Sequence, residues 1–176
     1  GTGPEIWEQS GGGIDVFTCA VGTGGTLGGV SRALKARART AGRDVRVVLA
    51  DPMGSGLFSY QKTGKIASQG SSVTEGIGIM RLTANFQRAE IDDAIQITDS
   101  EMIDMLFHLA NHDGLFVGTS AALNVMAAYR LALAEKGSGK TFATILCDHG
   151  SRYQSKLLSP DWRREKGLEP KALASS

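Results

Sequence analysis

The chain has 176 residues, of which 41% are hydrophobic and 21% charged, ordinary for a globular protein and enough for one domain with a real core. A formal net charge of +1 leaves no basic footprint for nucleic acid, and the arginines between Arg32 and Arg46 are interrupted by small residues, as on a solvated helix face. No stretch approaches the length of a membrane span.

In chain order, Pro4 followed by Glu5, Ile6, Trp7 and Glu8 predicts a short helix closed by the Gly11-Gly12-Gly13 run. Ile14, Val16, Phe17, Cys19, Ala20 and Val21 form an almost continuous apolar run, the pattern of a strand covered on both faces. The loop Gly22-Thr23-Gly24-Gly25-Thr26 then leads into a helix with Leu27, Val30 and Leu34 on its inner face, ending near Gly42. Val45, Val47, Val48, Leu49 and Ala50 make a second buried strand stopped by Asp51 and Pro52, which completes a βαβ crossover and implies parallel sheet.

Between Gly54 and Asn85 periodicity fades, leaving a long irregular segment that contains Glu75-Gly76-Ile77-Gly78; segments of that length are usually functional. Ala94 to Ile97 reads as a short strand, and Thr98 with Glu101 as the capping box of a helix running to Gly114, with Met102, Leu106 and Leu109 buried. Gly118-Thr119-Ser120 opens a second long helix extending to about Lys136, and the bland reading of Ser120 is as its N-cap. Thr141 to Cys147 is the last apolar strand, and beyond Pro160 a polar, frayed tail is expected over residues 161–176.

Cys19 and Cys147 each end an apolar run, which predicts two packed thiols in a reducing compartment rather than a disulfide. With no basic, apolar leader at the N-terminus, the expected location is cytoplasmic; Gly1 stands where an initiator methionine is absent, so the chain reads as the middle of a longer protein. His108 and His112 lie four apart on one helix with Asp104 below them, but no third histidine or cysteine is near in sequence, so no metal site is expected. Trp7 and Trp162 read as packing or interface residues.

The strongest chemical signal is the loop of residues 22–26. Glycines between a buried strand and a helix let backbone amides converge where the helix dipole favours an anion, so a phosphate is suited to it. The bland reading is a tight turn with close helix packing. It is not a Walker A loop, since no Gly-Lys-Ser/Thr follows. Gly22, Gly24 and Gly28, with Asp51 ending the second strand, also suit a dinucleotide, although Pro52 follows Asp51 at once. Spacing leaves the two readings open.

Six segments stand in the same order as in the cysteine synthases: Gly3-Pro4-Glu5-Ile6-Trp7, the loop of residues 22–26, Ala50-Asp51-Pro52, Glu75-Gly76-Ile77-Gly78, Gly118-Thr119-Ser120 and Arg152-Tyr153-Gln154-Ser155-Lys156. Over residues 1–160 the chain resembles that family, which together with cystathionine β-synthase belongs to the fold type II (tryptophan synthase β-like) pyridoxal-phosphate enzymes.

The resemblance implies an α/β fold: a largely parallel sheet with helices on both faces, forming most of the larger of two domains. Pyridoxal 5'-phosphate is the implied cofactor. Gly22, Thr23, Gly24, Gly25 and Thr26 would hold its phosphate, and Ser120 would hydrogen-bond the pyridine nitrogen. A hydroxyl does not keep that nitrogen protonated as a carboxylate would, which favours elimination at Cβ. Gly76, Ile77 and Gly78 match the loop that approaches the substrate; its bland reading is a surface turn.

The implied activity of the full-length protein is replacement of the acetate of O-acetyl-L-serine by sulfide to give L-cysteine. The alternatives are cystathionine β-synthase-like chemistry, a non-catalytic phosphate-binding fragment, or an NAD(P)-binding domain. The chain departs from the family at Ala121 and Ala122, where a small polar pair is usual.

The family's cofactor-bearing lysine lies upstream of every matched segment. No lysine here matches it, Lys156 being expected as the least exposed, so no catalytic residue is assigned and the chain alone is expected to be inactive. The implied partners are an amino-acid substrate, an N-terminal half of the enzyme and a second copy in a homodimer, not nucleic acid or membrane.

Overall fold

The computed structural model describes residues 1–173. Four parallel strands form one sheet in the order β3-β2-β1-β4: β1 is Val16–Cys19, β2 Arg46–Pro52, β3 Asp93–Ile97 and β4 Phe142–Ala143. Alternation along the strands decides what covers each face. Phe17 and Cys19 of β1 and Val47 and Leu49 of β2 pack with Leu27, Val30 and Leu34 of helix α2 (Gly25–Thr40). Val16 and Val48 turn the other way and meet Leu131, while Ala50 packs in the core built by α5 (Asp99–His112) and α6 (Thr119–Ala134). Helices therefore cover both faces of a parallel sheet, the α/β architecture expected from the buried runs.

Helix α1 spans Thr2–Gln9 and packs on α2; Pro4 lies in its first turn, where its missing N–H leaves no intrahelical bond unmade. The Thr98–Glu101 capping box forms reciprocally, with the Thr98 N–H donating to Glu101 Oε2 at 2.8 Å and the Glu101 N–H donating to Thr98 Oγ1 at 3.3 Å.

Several expectations are corrected. Strand β2 continues through Asp51 to Pro52 because β3 pairs with it there, Asp51 opposite Gln96 and Pro52 opposite Ile97. The segment after Gly54 is not wholly irregular: it contains α3 (Leu57–Thr63) and leads into α4 (Ala84–Gln87), both too short to show helical periodicity. The strand expected from Thr141 to Cys147 pairs only over Phe142 and Ala143, after which the chain leaves the sheet and Cys147 is exposed. Ser120 is not the N-cap of α6. Gly118 is, which makes Ser120 the second residue of the helix.

Beyond Pro160 the chain does not fray at once. Ser159 accepts a bond from the Trp162 N–H and caps α7 (Pro160–Lys166), with Pro160 at its start and Gly167 left-handed at its end. The Arg163 guanidinium lies 4.6 Å from the Phe107 ring centroid and donates to the Leu157 carbonyl at 2.6 Å, fixing this helix to α5. Trp162 packs on the same core, and Trp7 on the other. Residues 174–176 of the expected tail lie outside the described residues. Among the described residues, no helix is long and apolar enough to cross a membrane.

Candidate active site

The C-terminal end of β1, the chain that follows β4 and the start of α6 converge on a cavity of about 480 Å³, lined by Gly22, Thr26, Gly76, Ile77, Ser120 and Tyr153 among others. This is where open parallel sheets bind ligands, because the helix N-termini and strand ends point the same way. A larger hollow of about 700 Å³ lies between α5 and α6, lined mostly by apolar side chains with His108 and His112 at its edge. The smaller cavity has the convergent polar groups, so it is the candidate site.

The turn suited to an anion opens α2. Gly24 is its N-cap with φ of 82°, a left-handed conformation, and the N–H groups of Gly25, Thr26 and Leu27 begin the helix without intrahelical acceptors. Gly22 needs its bare Cα for another reason: a Cβ there would stand 2.2 Å from the Gly76 carbonyl oxygen. The phosphate-type loop and the segment of residues 75–78 thus lie against each other, and the Gly78 N–H donates to the Val21 carbonyl at 3.1 Å. The Thr83 hydroxyl, which caps α4, donates to the Thr23 carbonyl at 2.7 Å and braces the turn from outside.

Of the residues singled out by sequence, Gly22, Thr26, Gly76, Ile77 and Ser120 line the cavity together, whereas Thr23, Gly24, Gly25 and Gly78 do not. Thr23 is exposed and its Oγ1 accepts a long bond from the Gly25 N–H, at 3.4 Å. Ser120 is buried, on the cavity side of α6. Ala121 and Ala122 are fully buried in the core, where the small polar pair would instead bring polar atoms.

Four polar residues of the cavity, Asn124, Asp148, Arg152 and Tyr153, had no role assigned from the sequence. Asn124 stands one turn after Ser120 on the same face and is fully buried. It donates to the Ile145 carbonyl at 2.9 Å and to Cys147 Sγ at 3.4 Å, and its Oδ1 accepts from the Ala20 N–H at 2.7 Å, tying α6 to the ends of two strands. An amide within a run of alanine, leucine, valine and methionine was a readable signal. Asp148, Arg152 and Tyr153 also line the cavity. The Tyr153 hydroxyl donates to Asp148 Oδ2 at 2.7 Å; burial first, then this bond, raises the Tyr153 phenol above its ordinary range.

Asp51, the acid that a dinucleotide reading places on a ribose, does not line the cavity. It is fully buried and accepts from the Phe58 N–H at 2.7 Å, so it anchors α3. Desolvation lifts its carboxyl from 3.8 to about 6, against the bonds from Phe58 and Ser55 that lower it. A folded chain that binds this proton more tightly than the unfolded chain loses stability as pH rises from 3.8 to about 6. The gap corresponds to roughly 3 kcal/mol at most. Asp51→Asn, compared with wild type by denaturant unfolding at pH 4 and pH 7, is expected to remove that falling limb; an unchanged slope contradicts the assignment.

Among the described residues no lysine lines the cavity. Lys156 is not the least exposed lysine, since half of its side chain is in solvent where it pairs with Glu75 at the rim. Lys35 is, at 7% exposure, held by both oxygens of Asp92 at 2.7 and 2.8 Å on the far side of α2. Cys19, buried at the cavity wall, has its thiol pushed up by burial and secondarily by Cys147. No group of three or more histidine, cysteine or carboxylate side chains able to hold a metal occurs among the described residues; the His108 and His112 rings lie 4.7 Å apart, tilted against each other.

A parallel sheet covered by helices on both faces, with a glycine turn at a helix N-terminus and a serine facing the same cavity, is the α/β architecture on which the comparisons bear. The family model described as pyridoxal-phosphate dependent enzyme matches residues 1–148, and the chain belongs to that family. It is 47% identical to cysteine synthase 1 of Emericella nidulans over 95% of this chain and 45% of that protein, and 42% identical to cysteine synthase 2 of Schizosaccharomyces pombe over 99% and 46%. With cysteine synthase A of Escherichia coli it shares 37% identity over 96% and 51%. A solved structure, the O-acetylserine dependent cystathionine beta-synthase from Helicobacter pylori, superposes with a TM-score of 0.75 at 31% identity, over 88% of this chain and 46% of that one. The fold is thus that of the fold type II enzymes. The chain spans about half the length of the curated relatives it matches.

Proposed function

We propose that this chain is the C-terminal, cofactor-phosphate-binding portion of a cysteine synthase that replaces the acetate of O-acetyl-L-serine with sulfide. The observation that supports the reading is that Gly22 and Thr26, at the N-terminus of α2, line the same cavity as Ser120. Pyridoxal phosphate fits that chemistry: the N–H groups of the helix start, which lack intrahelical acceptors, and the Thr26 hydroxyl suit its phosphate, and the Ser120 hydroxyl suits its ring nitrogen. When bound, this cofactor supplies an electron sink that weakens bonds beside the substrate amino group. Ser120, being uncharged, would leave the ring nitrogen unprotonated and favour departure of the Cβ substituent.

Gly76 and Ile77 would present backbone to the substrate, Thr23, Gly24 and Gly25 would complete the turn that holds the phosphate, and Gly78 would tie the two loops together. The lysine that carries the cofactor would come from outside this chain. Residues 1–160 would then be most of the larger domain, completed by an N-terminal half; the protein would act in the cytoplasm as a homodimer. Cystathionine β-synthase-like chemistry is the second reading, favoured by the Helicobacter pylori structure.

Purified complete protein is expected to be yellow, to change its absorbance on addition of O-acetylserine, and to form cysteine with sulfide. Preference for homocysteine over sulfide selects the second reading. A colourless protein that binds NAD tightly contradicts both.

A further inference from the structure

The N-cap of α6 is a glycine with no side chain to cap the helix, yet Ser120 sits in that first turn and depends on its placement. A distant segment meets the helix start instead. The Gly118 N–H donates to the Asp148 carbonyl at 2.9 Å, and a Cβ on Gly118 would stand 2.1 Å from Asp148 Oδ1, so the carboxylate lies directly against the helix start. Oδ1 is buried and has no hydrogen-bond partner among the described residues, while Oδ2 is held by the Tyr153 hydroxyl at 2.7 Å. The segment is clamped further by pairing of Val117 with His149 and by the Gly150 N–H donating to the Phe116 carbonyl at 3.0 Å. The nearest cation, Arg152, is 3.9 Å from Oδ2 and largely in solvent. Besides Arg152, this part-buried carboxylate faces the positive end of the sixteen-residue α6.

We propose that Asp148, locked by Tyr153, is a positioning residue: it anchors the first turn of α6 and thereby sets the Ser120 hydroxyl against the ring end of the cofactor cavity. The inference rests on the pyridoxal-phosphate reading of the cavity. Asp148→Asn keeps the shape and removes the charge; Tyr153→Phe keeps the charge and frees the carboxylate to rotate.

The test uses the complete protein, titrated with pyridoxal phosphate and followed by absorbance and fluorescence of the bound cofactor, with thermal unfolding alongside. Asp148→Asn is expected to weaken binding about three- to thirtyfold and to shift the absorbance band at saturation. Tyr153→Phe is expected to shift the band the same way with a smaller loss of affinity. A lowered Tm with spectrum and Kd unchanged overturns the proposal, and should Asp148→Asn fail to fold, an unchanged spectrum and Kd in Tyr153→Phe overturns it alone. Wild-type protein that binds no pyridoxal phosphate sinks the functional reading and the inference with it, whereas normal wild-type binding with silent variants sinks only the inference.

Discussion

Gly22→Val is expected to weaken pyridoxal phosphate binding by the complete protein about a hundredfold. The added Cβ would meet the Gly76 carbonyl oxygen at 2.2 Å, a backbone atom that no rotamer change can move aside. Relief requires the loop of residues 22–26 and the segment of residues 75–78 to separate, at a cost of about 1–3 kcal/mol for a tightly packed position. Because both line the cavity, that cost falls on the shape of the proposed phosphate site rather than on the sheet. Gly29→Ala is the matching control. Gly29 lies on the exposed side of α2 with open space around it, so alanine there is expected to keep binding and to raise helix stability by roughly 0.5–1 kcal/mol. Equilibrium titration of both variants checks the pair; near-normal affinity in Gly22→Val contradicts the cradle.

Leu27→Ala is expected to cost about 2–5 kcal/mol in global stability. Leu27 is fully buried in the first turn of α2, in the same cluster as Phe17, Leu34, Val47 and Leu49. The void would open directly beneath the amides of the cradle, so the loss is expected to appear in cofactor affinity as well as in denaturant unfolding. A variant with wild-type Tm would show that the helix start is held by something other than this packing.

The β1-α2-β2 unit was legible because each of its elements is buried on a fixed period: a continuous apolar run marks a strand covered twice, and Leu27, Val30 and Leu34 mark a helix covered once. The residues missed share a different physics. Asp148 and Tyr153 meet Gly118 across a long sequence separation, and nothing in their local pattern announces the contact. Lys35 reads as surface from its polar neighbours; its burial is decided by Asp92, 57 residues away. Helix α3 is seven residues long and is anchored by Asp51 from the end of β2, so tertiary contact, not periodicity, makes it a helix. The residues past Pro160 are polar enough to read as a tail, and they are ordered by Arg163 lying on Phe107. Family resemblance, in contrast, identified Gly22, Thr26, Gly76, Ile77 and Ser120 from separate segments, and the fold brings these five to one cavity.

The most direct measurement is a crystal structure of the complete protein with pyridoxal phosphate. The account predicts the phosphorus within hydrogen-bonding reach of the amides at the start of α2, with the ring nitrogen on the Ser120 hydroxyl. A phosphate bound elsewhere, or a ring that cannot reach Ser120 from that cradle, would contradict it.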